Sequence, residues 1–186
     1  MISLPSRETA EQLLFEYTTG ESLRKHAFAV EAAMRAYARI LGEDEERWGM
    51  AGLLHDFDYE RHPRFPDHPT IGSSVLAEQG YPEDIRHAIL GHVPAMNVPR
   101  NTAMARALFA CDELCGLVVA CAIVRPGKLS DLEVGSVRKK MKDKAFARGV
   151  NREEIVNGAK ELGVDLDEHV RVVIDSLRGI SQRLGL

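Results

Sequence analysis

The chain has 186 residues, of which 45% are hydrophobic and 28% are charged, and its net charge is -4 at pH 7. These values predict one soluble globular domain that is large enough to bury a hydrophobic core. The small negative charge gives no whole-chain signal for binding to nucleic acid or to a membrane surface. The most apolar stretch, residues 103–124, carries Arg106, Asp112 and Glu113, so we do not expect it to span a membrane.

The N-terminus and the cysteines both indicate a cytoplasmic protein. Residues 1–8 contain no basic segment followed by an apolar one, so a secretory signal is not expected. The three cysteines, Cys111, Cys115 and Cys121, are odd in number and lie in one apolar segment. Cys111 and Cys115 share a helical face and could bind a metal together, but their apolar surroundings favour reduced, buried thiols.

Hydrophobic residues recur at helical spacing almost throughout, and the alternation typical of strands is absent. The clearest helix runs from Glu21 to Leu41, where Gly42 can end it. A proline-rich loop without periodicity is expected at residues 57–67. Further helices are predicted over residues 7–17, 44–56, 67–79, 82–92, 101–124, 130–142, 151–162 and 167–184.

Several of these helices carry start signals. Asp44 and Asn101 are expected to cap their helices, and Ser130 with Glu133 forms a capping-box pattern, as does Asn151 with Glu154. No linker or repeat divides the chain. We therefore predict an all-α fold in a single domain over residues 1–186, with a core bundle at about 21–125 and a helical extension at about 126–186.

The adjacent pair His55 and Asp56 is the most informative feature of the chain. It closes an apolar run that begins at Trp48. Burying a charged carboxylate after such a run is costly unless a partner neutralises it. A divalent metal is the commonest partner for a neighbouring imidazole and carboxylate, because both groups can ligate one ion.

Two further residues on other helices extend this site. His26 lies on an apolar and alanine-rich face with Val30, and Asp112 has Leu108 and Cys115 at helical spacing. Helix bundles build metal sites from side chains that converge in this way. The predicted ligand set is His26, His55, Asp56 and Asp112. These ligand types suit Fe, Mn, Mg, Zn, Co or Ni and do not distinguish among them.

Each of the two outer residues also has a simpler interpretation. His26 could be a hydrogen-bonded histidine of the hydrophobic core. The carboxylate of Asp112 could form a buried salt bridge with Arg35 or Arg106. The metal site is favoured because the four side chains occur together.

The order His, His-Asp, Asp resembles the HD-domain superfamily of metal-dependent phosphohydrolases, over about residues 23–124. His68 and His92 resemble the added histidines of the bacterial members that hold two metals. The resemblance implies an HD-domain helical bundle with one or two divalent ions per chain. The four-residue set would hold the first ion, and His68 and His92 would hold the second, with Asp56 bridging both.

The resemblance also implies an activity, namely hydrolysis of a phosphoester in a small molecule such as a nucleotide by a metal-activated hydroxide. Asp56 and Asp58 are the predicted catalytic residues, with Asp58 acting as a general base or as an acceptor behind a ligand. Many relatives have Ile-Gly-Lys after the His-Asp pair, but this chain has Phe57-Asp58-Tyr59 and lacks that lysine. The cations expected to contact substrate are Arg61, Arg64 and Lys140.

Other polar residues receive weaker predictions. Glu60 could act like Asp58, and Glu113 could orient a histidine ligand. His62, His87 and His169 are expected at the surface. The basic run at residues 138–148 has no aromatic interleaving, which argues against single-stranded nucleic acid as a partner.

Two alternatives to the hydrolase remain open. The same six ligands could hold a di-iron centre that cleaves C–C or C–P bonds with O₂, and ligand types do not separate these two enzyme classes. The chain could also be a non-catalytic module that binds a nucleotide, although the complete ligand set argues against it. The sequence gives neither the substrate nor the oligomeric state.

Overall fold

The computed structural model describes residues 4–186. Residues 1–3, which begin the N-terminal segment where no secretory signal is expected, lie outside this range. No strand occurs in this range, which confirms the predicted all-α class. The helices are α1 (Arg7–Tyr17), α2 (Glu21–Leu41), α3 (Glu45–Leu54), α4 (Asp67–Glu78), α5 (Glu83–His92), α6 (Ala103–Ile123), α7 (Val134–Lys142), α8 (Arg152–Leu162), α9 (Leu166–Arg178) and α10 (Ser181–Leu184).

The two longest helices, α2 and α6, form the centre of the bundle. Helix α6 packs against α2, α5, α8 and α9, and it is apolar on almost every side. A helix of that kind is stable only when other helices surround it. Its two carboxylates, Asp112 and Glu113, lie at the middle of the helix and are partly buried within the bundle.

Short-range signals set several helix ends as the sequence predicts. Gly42 ends α2 with a φ of 72°, and Gly163 ends α8 with a φ of 79°, a left-handed conformation that favours glycine. The carboxylate of Asp44 caps α3 by accepting hydrogen bonds from the backbone N–H groups of Glu46 and Arg47, at 2.9 and 3.1 Å.

Other predicted helix ends are wrong. Thr102, not Asn101, caps α6. The capping box at Ser130 does not form, because the Ser130 hydroxyl donates to the carbonyl of Gly127 in the preceding turn, and α7 begins only at Val134. The predicted last helix is two helices, α9 and α10, separated at residues 179–180.

The C-terminal helices pack directly on the central pair. Gly158 of α8 lies so close to α6 that a Cβ there would come within 2.6 Å of the Cα of Ala110. His169 of α9 is fully buried, where we had expected a surface position. Its Nδ1 accepts from the hydroxyl of Tyr37 at 2.5 Å, and its Nε2 donates to the carbonyl of Ala110 at 2.9 Å. Burial lowers the pKa of His169. The division near residue 125 stays a prediction.

The cysteines lie as predicted. Cys111, Cys115 and Cys121 are free and buried. Burial raises the pKa of Cys121 to about 11 and that of the other two still further, so all three thiols stay protonated at neutral pH. None of the helices within residues 4–186 is long and apolar enough to cross a membrane.

Candidate metal centre

The six predicted ligands come from five parts of the chain and meet at one cavity of about 370 Å³. Their positions follow from the helix order. They are His26 on α2, His55 and Asp56 at the end of α3, His68 in the first turn of α4, His92 at the end of α5, and Asp112 on α6. All of them line the cavity except His55, which is completely buried beside it.

The first group of ligands surrounds the imidazole of His55. Its Nδ1 donates to the carbonyl of Gly52 at 2.8 Å, which leaves Nε2 as the nitrogen with a lone pair. This Nε2 is buried and has no hydrogen-bond partner within residues 4–186. It lies 3.5 Å from one carboxylate oxygen of Asp56 and 3.5 Å from one of Asp112. An orphaned imidazole nitrogen between two carboxylates fits a bound cation.

His26 completes this first group. Its Nε2 lies 2.9 Å from the same Asp112 oxygen that faces His55. The ligand atoms of His26, His55 and Asp112 all lie within 4.8 Å of one another, a spacing that one metal ion could span.

The second group shares the Asp56 carboxylate with the first. Its Oδ1 lies 3.2 Å from Nε2 of His68 and 3.1 Å from Nε2 of His92, whereas its Oδ2 faces His55. The Nδ1 of His92 is held by the carbonyl of Ile89, so its Nε2 is directed at Asp56. The Asp56 carboxylate therefore contacts both groups, the first through Oδ2 and the second through Oδ1.

Asp58 lies behind this second group and does not line the cavity. It is only 1% exposed, and its Oδ1 accepts from Nδ1 of His68 at 2.8 Å. Its Oδ2 accepts from the backbone N–H of Gly72 at 2.8 Å. A Cβ on Gly72 would come within 2.6 Å of the Asp58 carboxyl carbon, so the close approach requires glycine. Of its two predicted roles, the geometry fits the acceptor that orients a ligand.

The electrostatics of the centre keep both ligand carboxylates, Asp56 and Asp112, ionised. Burial opposes the ionisation of Asp56, but His55, His68 and His92 together hold its pKa well below the usual range. Burial likewise opposes ionisation of Asp112, but the hydrogen bond with His26 and the nearby imidazole of His55 lower its pKa. Two ionised carboxylates among four imidazoles form a donor set suited to a divalent cation.

The pKa values of three of the histidine ligands shift in the opposite direction, upward. Burial lowers the pKa of His68, but hydrogen bonds to Asp56 and Asp58 outweigh this effect and raise it to about 9. The pKa values of His55 and His92 are also raised, because neighbouring carboxylates outweigh their burial. Without an ion, protons on the imidazoles supply the positive charge that the carboxylates require.

The salt-bridge alternative for Asp112 does not occur. Arg35 pairs instead with Glu31 and Glu46, at 3.0 and 2.7 Å, and Arg106 donates to the carbonyl of Arg100. The partners of Asp112 are therefore imidazoles.

The three predicted substrate cations do not line the cavity. The guanidinium of Arg61 lies 3.9 Å from the ring centre of Tyr17 and donates to a backbone carbonyl of α1. Lys140 lies 4.4 Å from the ring centre of Phe146 and 3.7 Å from Asp143. Arg64 is exposed on the loop before α4. Substrate binding by these residues stays a prediction, without support from their positions.

Other weaker predictions also find different partners. Glu60 accepts from the backbone N–H groups of Thr19 and Gly20, at 3.0 and 2.9 Å, and so holds the turn that precedes α2. Glu113 orients no histidine but accepts from the backbone N–H of Asn151 at 2.9 Å. His62 and His87 are partly exposed and do not line the cavity.

Sequence reasoning did not assign several residues that line the cavity. They are Tyr59, Val93, Pro94, Gly116 and Glu154, whereas Glu113, which also lines the cavity, was predicted in a different role. Glu154 lies on α8, and its position depends on how α8 folds back over α6. The capping pattern at Asn151 indicates where α8 starts but not which helix it packs against. Nothing in the sequence therefore indicates that Glu154 lines the cavity.

These features define an all-α protein with a buried histidine and aspartate centre that could hold divalent metal. Residues 23–117 match the HD domain family, and the chain belongs to that family. Proteins with this domain are generally metal-dependent hydrolases of phosphoesters.

Similar curated proteins carry one name. Ribonuclease Y of Oleidesulfovibrio alaskensis is 29% identical over 170 residues, which is 89% of this chain and 29% of that protein. Ribonuclease Y of Nitratidesulfovibrio vulgaris strain DP4 is 27% identical over 170 residues, with the same coverage. The chain thus spans under a third of the length of these relatives. No solved structure matches it.

Proposed function

We propose that the protein hydrolyses a phosphoester of a small molecule with one or two divalent ions held in this cavity. The observation that carries the proposal is the position of Asp56. Its Oδ1 faces His68 and His92, and its Oδ2 faces the orphaned nitrogen of His55. That arrangement suits a carboxylate that bridges two ions.

The ligand sets follow from these contacts. The first ion would be held by His26, His55, Asp56 and Asp112, and the second by Asp56, His68 and His92. Divalent ions there would supply an acidified water as nucleophile and positive charge for the phosphoryl oxygens. The ligand types admit Fe, Mn, Mg, Zn, Co or Ni.

The protein's own residues set the orientation of the ligands. Backbone carbonyls of Gly52 and Ile89 hold His55 and His92 with Nε2 toward the centre, and Asp58 does the same for His68. In the hydrolysis, the water oxygen bonds to phosphorus, the bond from phosphorus to the leaving group breaks, and the leaving oxygen takes a proton. A cavity of about 370 Å³ accommodates a small phosphorylated molecule.

The relatives named Ribonuclease Y favour a second candidate, cleavage of RNA. This substrate is also a phosphoester and would use the same centre. The lining of the cavity argues for the small molecule, because it includes no lysine or arginine to contact further phosphates of a strand.

Metal content and turnover test the proposal together. Protein freed of metal by chelation is reloaded with each candidate ion, its metal per chain is measured by elemental mass spectrometry, and p-nitrophenyl phosphate and a short RNA are offered as substrates. We expect about two ions per chain and turnover of the small ester. Asp56→Ala should lose at least one ion and lower kcat/KM by at least about 1000-fold, since both ligand groups lose a member.

The matched control is Asp175→Ala, which removes an exposed carboxylate of α9 far from the ligand set along the chain. It should keep the metal content and activity of the parent. Full metal stoichiometry in Asp56→Ala would show that the ligand assignment is wrong. Iron-dependent O₂ consumption without phosphoester turnover would favour the di-iron oxygenase, and metal binding without either activity would favour the binding module.

A further inference from the structure

The walls of the cavity above the ligands differ in character. One wall comes from α6 and α8 and consists of Glu113, Gly116 and Glu154, and a second comes from the segments after α3 and α5 and consists of Tyr59, Val93 and Pro94. One wall is therefore acidic and the other is largely apolar. No lysine or arginine is among the residues that line this cavity.

Asn151 holds the two glutamates of the acidic wall in place. Its backbone N–H donates to Oε2 of Glu113 at 2.9 Å, and its side-chain amide donates to Oε1 of Glu154 at 2.5 Å. Asn151 also caps α8, so its position is fixed by the helix itself. Each glutamate thus uses one oxygen for Asn151, and the other oxygen forms no hydrogen bond within residues 4–186.

A carboxylate only accepts hydrogen bonds when it is ionised, so the complement of this wall is a group that donates them. Hydroxyl groups are such donors. They carry no positive charge, so they would not compete with the metal ions for the carboxylates of the centre. A substrate without donors would leave these oxygens desolvated and unpaired, which is a strong basis for discrimination.

We propose, on the basis of the proposed function, that Glu113 and Glu154 select a phosphomonoester whose leaving group carries hydroxyl groups. The phosphoryl group would bind at the ligand centre, and the hydroxyls would donate to the free oxygens of the two glutamates. The C–H faces of the leaving group would contact the apolar wall, where Tyr59 is 40% exposed.

Charge favours a monoester over longer phosphate chains. A second phosphoryl group or the next phosphate of an RNA strand would approach two carboxylates with no cation on the cavity wall to offset them. Like charges at close range in a partly desolvated site repel strongly, and this repulsion excludes such substrates. The acidic wall therefore acts both by accepting hydrogen bonds and by excluding added negative charge.

Glycerol 3-phosphate and n-propyl phosphate test the proposal, because they share a three-carbon leaving group and differ by two hydroxyls. With the metal-loaded full chain, we expect kcat/KM to be at least about 10-fold higher for glycerol 3-phosphate. Glu113→Gln and Glu154→Gln should each reduce that preference several-fold. The amide oxygen of glutamine can still accept from Asn151, so the fold of the wall is retained.

Glu153→Gln is the matched control, since Glu153 is an exposed neighbour on α8 that does not line the cavity. It should leave the preference at the parent value. Equal kcat/KM for the two esters in the parent, or an unchanged preference in both glutamine variants, would overturn the proposal while the proposed hydrolase activity stands.

Binding without turnover separates this proposal from the proposed function. Calorimetry with 3,4-dihydroxybutylphosphonate and butylphosphonate, which cannot be hydrolysed at their P–C bonds, should give a Kd at least several-fold lower for the dihydroxy compound. Loss of this difference in Glu113→Gln supports the proposal even if no phosphoester is hydrolysed. Equal affinity for both phosphonates, or binding of neither, overturns it.

Discussion

Asp58 illustrates how a single buried carboxylate prepares the metal centre. Both of its oxygens are used, one by Nδ1 of His68 and the other by the backbone N–H of Gly72. Because Nδ1 of His68 carries the proton in that bond, Nε2 is the nitrogen available to a metal. Asp58 is therefore a positioning residue that acts through His68.

Asp58→Asn tests this role. The amide has one acceptor oxygen for two N–H donors, so either His68 or Gly72 loses its partner. We expect the affinity for the second ion to fall by about 10- to 100-fold, as is typical when the partner of a histidine ligand is lost, while the first ion binds as before. Calorimetric titration of metal into chelated protein measures both affinities.

The control is Asp67→Asn, which changes an exposed carboxylate next to His68 in the chain that forms no hydrogen bond or salt bridge with the ligands within residues 4–186. It should bind both ions with the parent affinities. Parent-like affinity for the second ion in Asp58→Asn would exclude the positioning role.

The sequence predicted the ligands better than their supporting residues, for a physical reason. His26, Asp56 and Asp112 stand out because a polar group in an apolar segment requires a partner. Glu154 lies on a polar helix face where carboxylates are ordinary, so only the packing of α8 on α6 reveals its position. The predicted surface position of His169 is wrong for the same reason, because its acidic neighbours in the sequence indicated an exposed helix face.

At the scale of elements, most local signals for helix ends were correct, and signals for long-range contacts were absent. Gly42, Asp44 and Gly163 act on the backbone within a few residues, and the structure has them at the predicted helix ends. The capping pattern at Ser130 failed because its hydroxyl found a nearer acceptor in the preceding turn. The contact of α8 with α6 depends on residues far apart in the chain, and no local pattern encodes it.

Gly158→Ala tests the contact of α8 with α6. The added methyl would lie 2.6 Å from the backbone of Ala110, so the two helices would have to separate. We expect the free energy of unfolding to fall by about 1–3 kcal/mol, as is usual for overpacking. Chemical denaturation monitored by circular dichroism measures the change.

Gly135→Ala is the matched control, because Gly135 is also a helical glycine but nothing lies within 4 Å of the added Cβ. Alanine favours the helix there, so stability should rise by about 0.5 kcal/mol. Equal effects of the two substitutions would mean that α8 does not pack on α6 as closely as in the structure.

At the scale of the whole molecule, protons and metal ions are alternative sources of positive charge for the same centre. Asp56, just after α3, and Asp112 of α6 meet histidines from α2, α4 and α5, so this charge balance ties five of the helices together. Either protonated imidazoles or divalent ions can satisfy the carboxylates, but a ligating imidazole must lose its proton. The stability of the molecule should therefore depend jointly on pH and metal.

The direction follows from His68, whose pKa in the folded, ion-free protein is raised to about 9 from the ordinary 6.5. The ion pairs of protonated His68 with Asp56 and Asp58 stabilise the folded, ion-free protein fully below pH 6.5. This contribution to stability is lost as the pH rises toward 9. Metal binding becomes more favourable over the same range. We expect the difference in Tm between metal-loaded and chelated protein to widen from pH 6 to pH 9, by several degrees.

Thermal unfolding with and without chelator at pH 6, 7, 8 and 9 measures this difference. His68→Gln supplies the comparison, because glutamine does not titrate and cannot take part in the exchange of proton for metal. In that variant the chelated protein should lose less Tm between pH 6.5 and pH 9 than the parent does. If the Tm difference between metal-loaded and chelated parent protein stays constant or narrows as the pH rises, protons do not occupy the centre in place of metal.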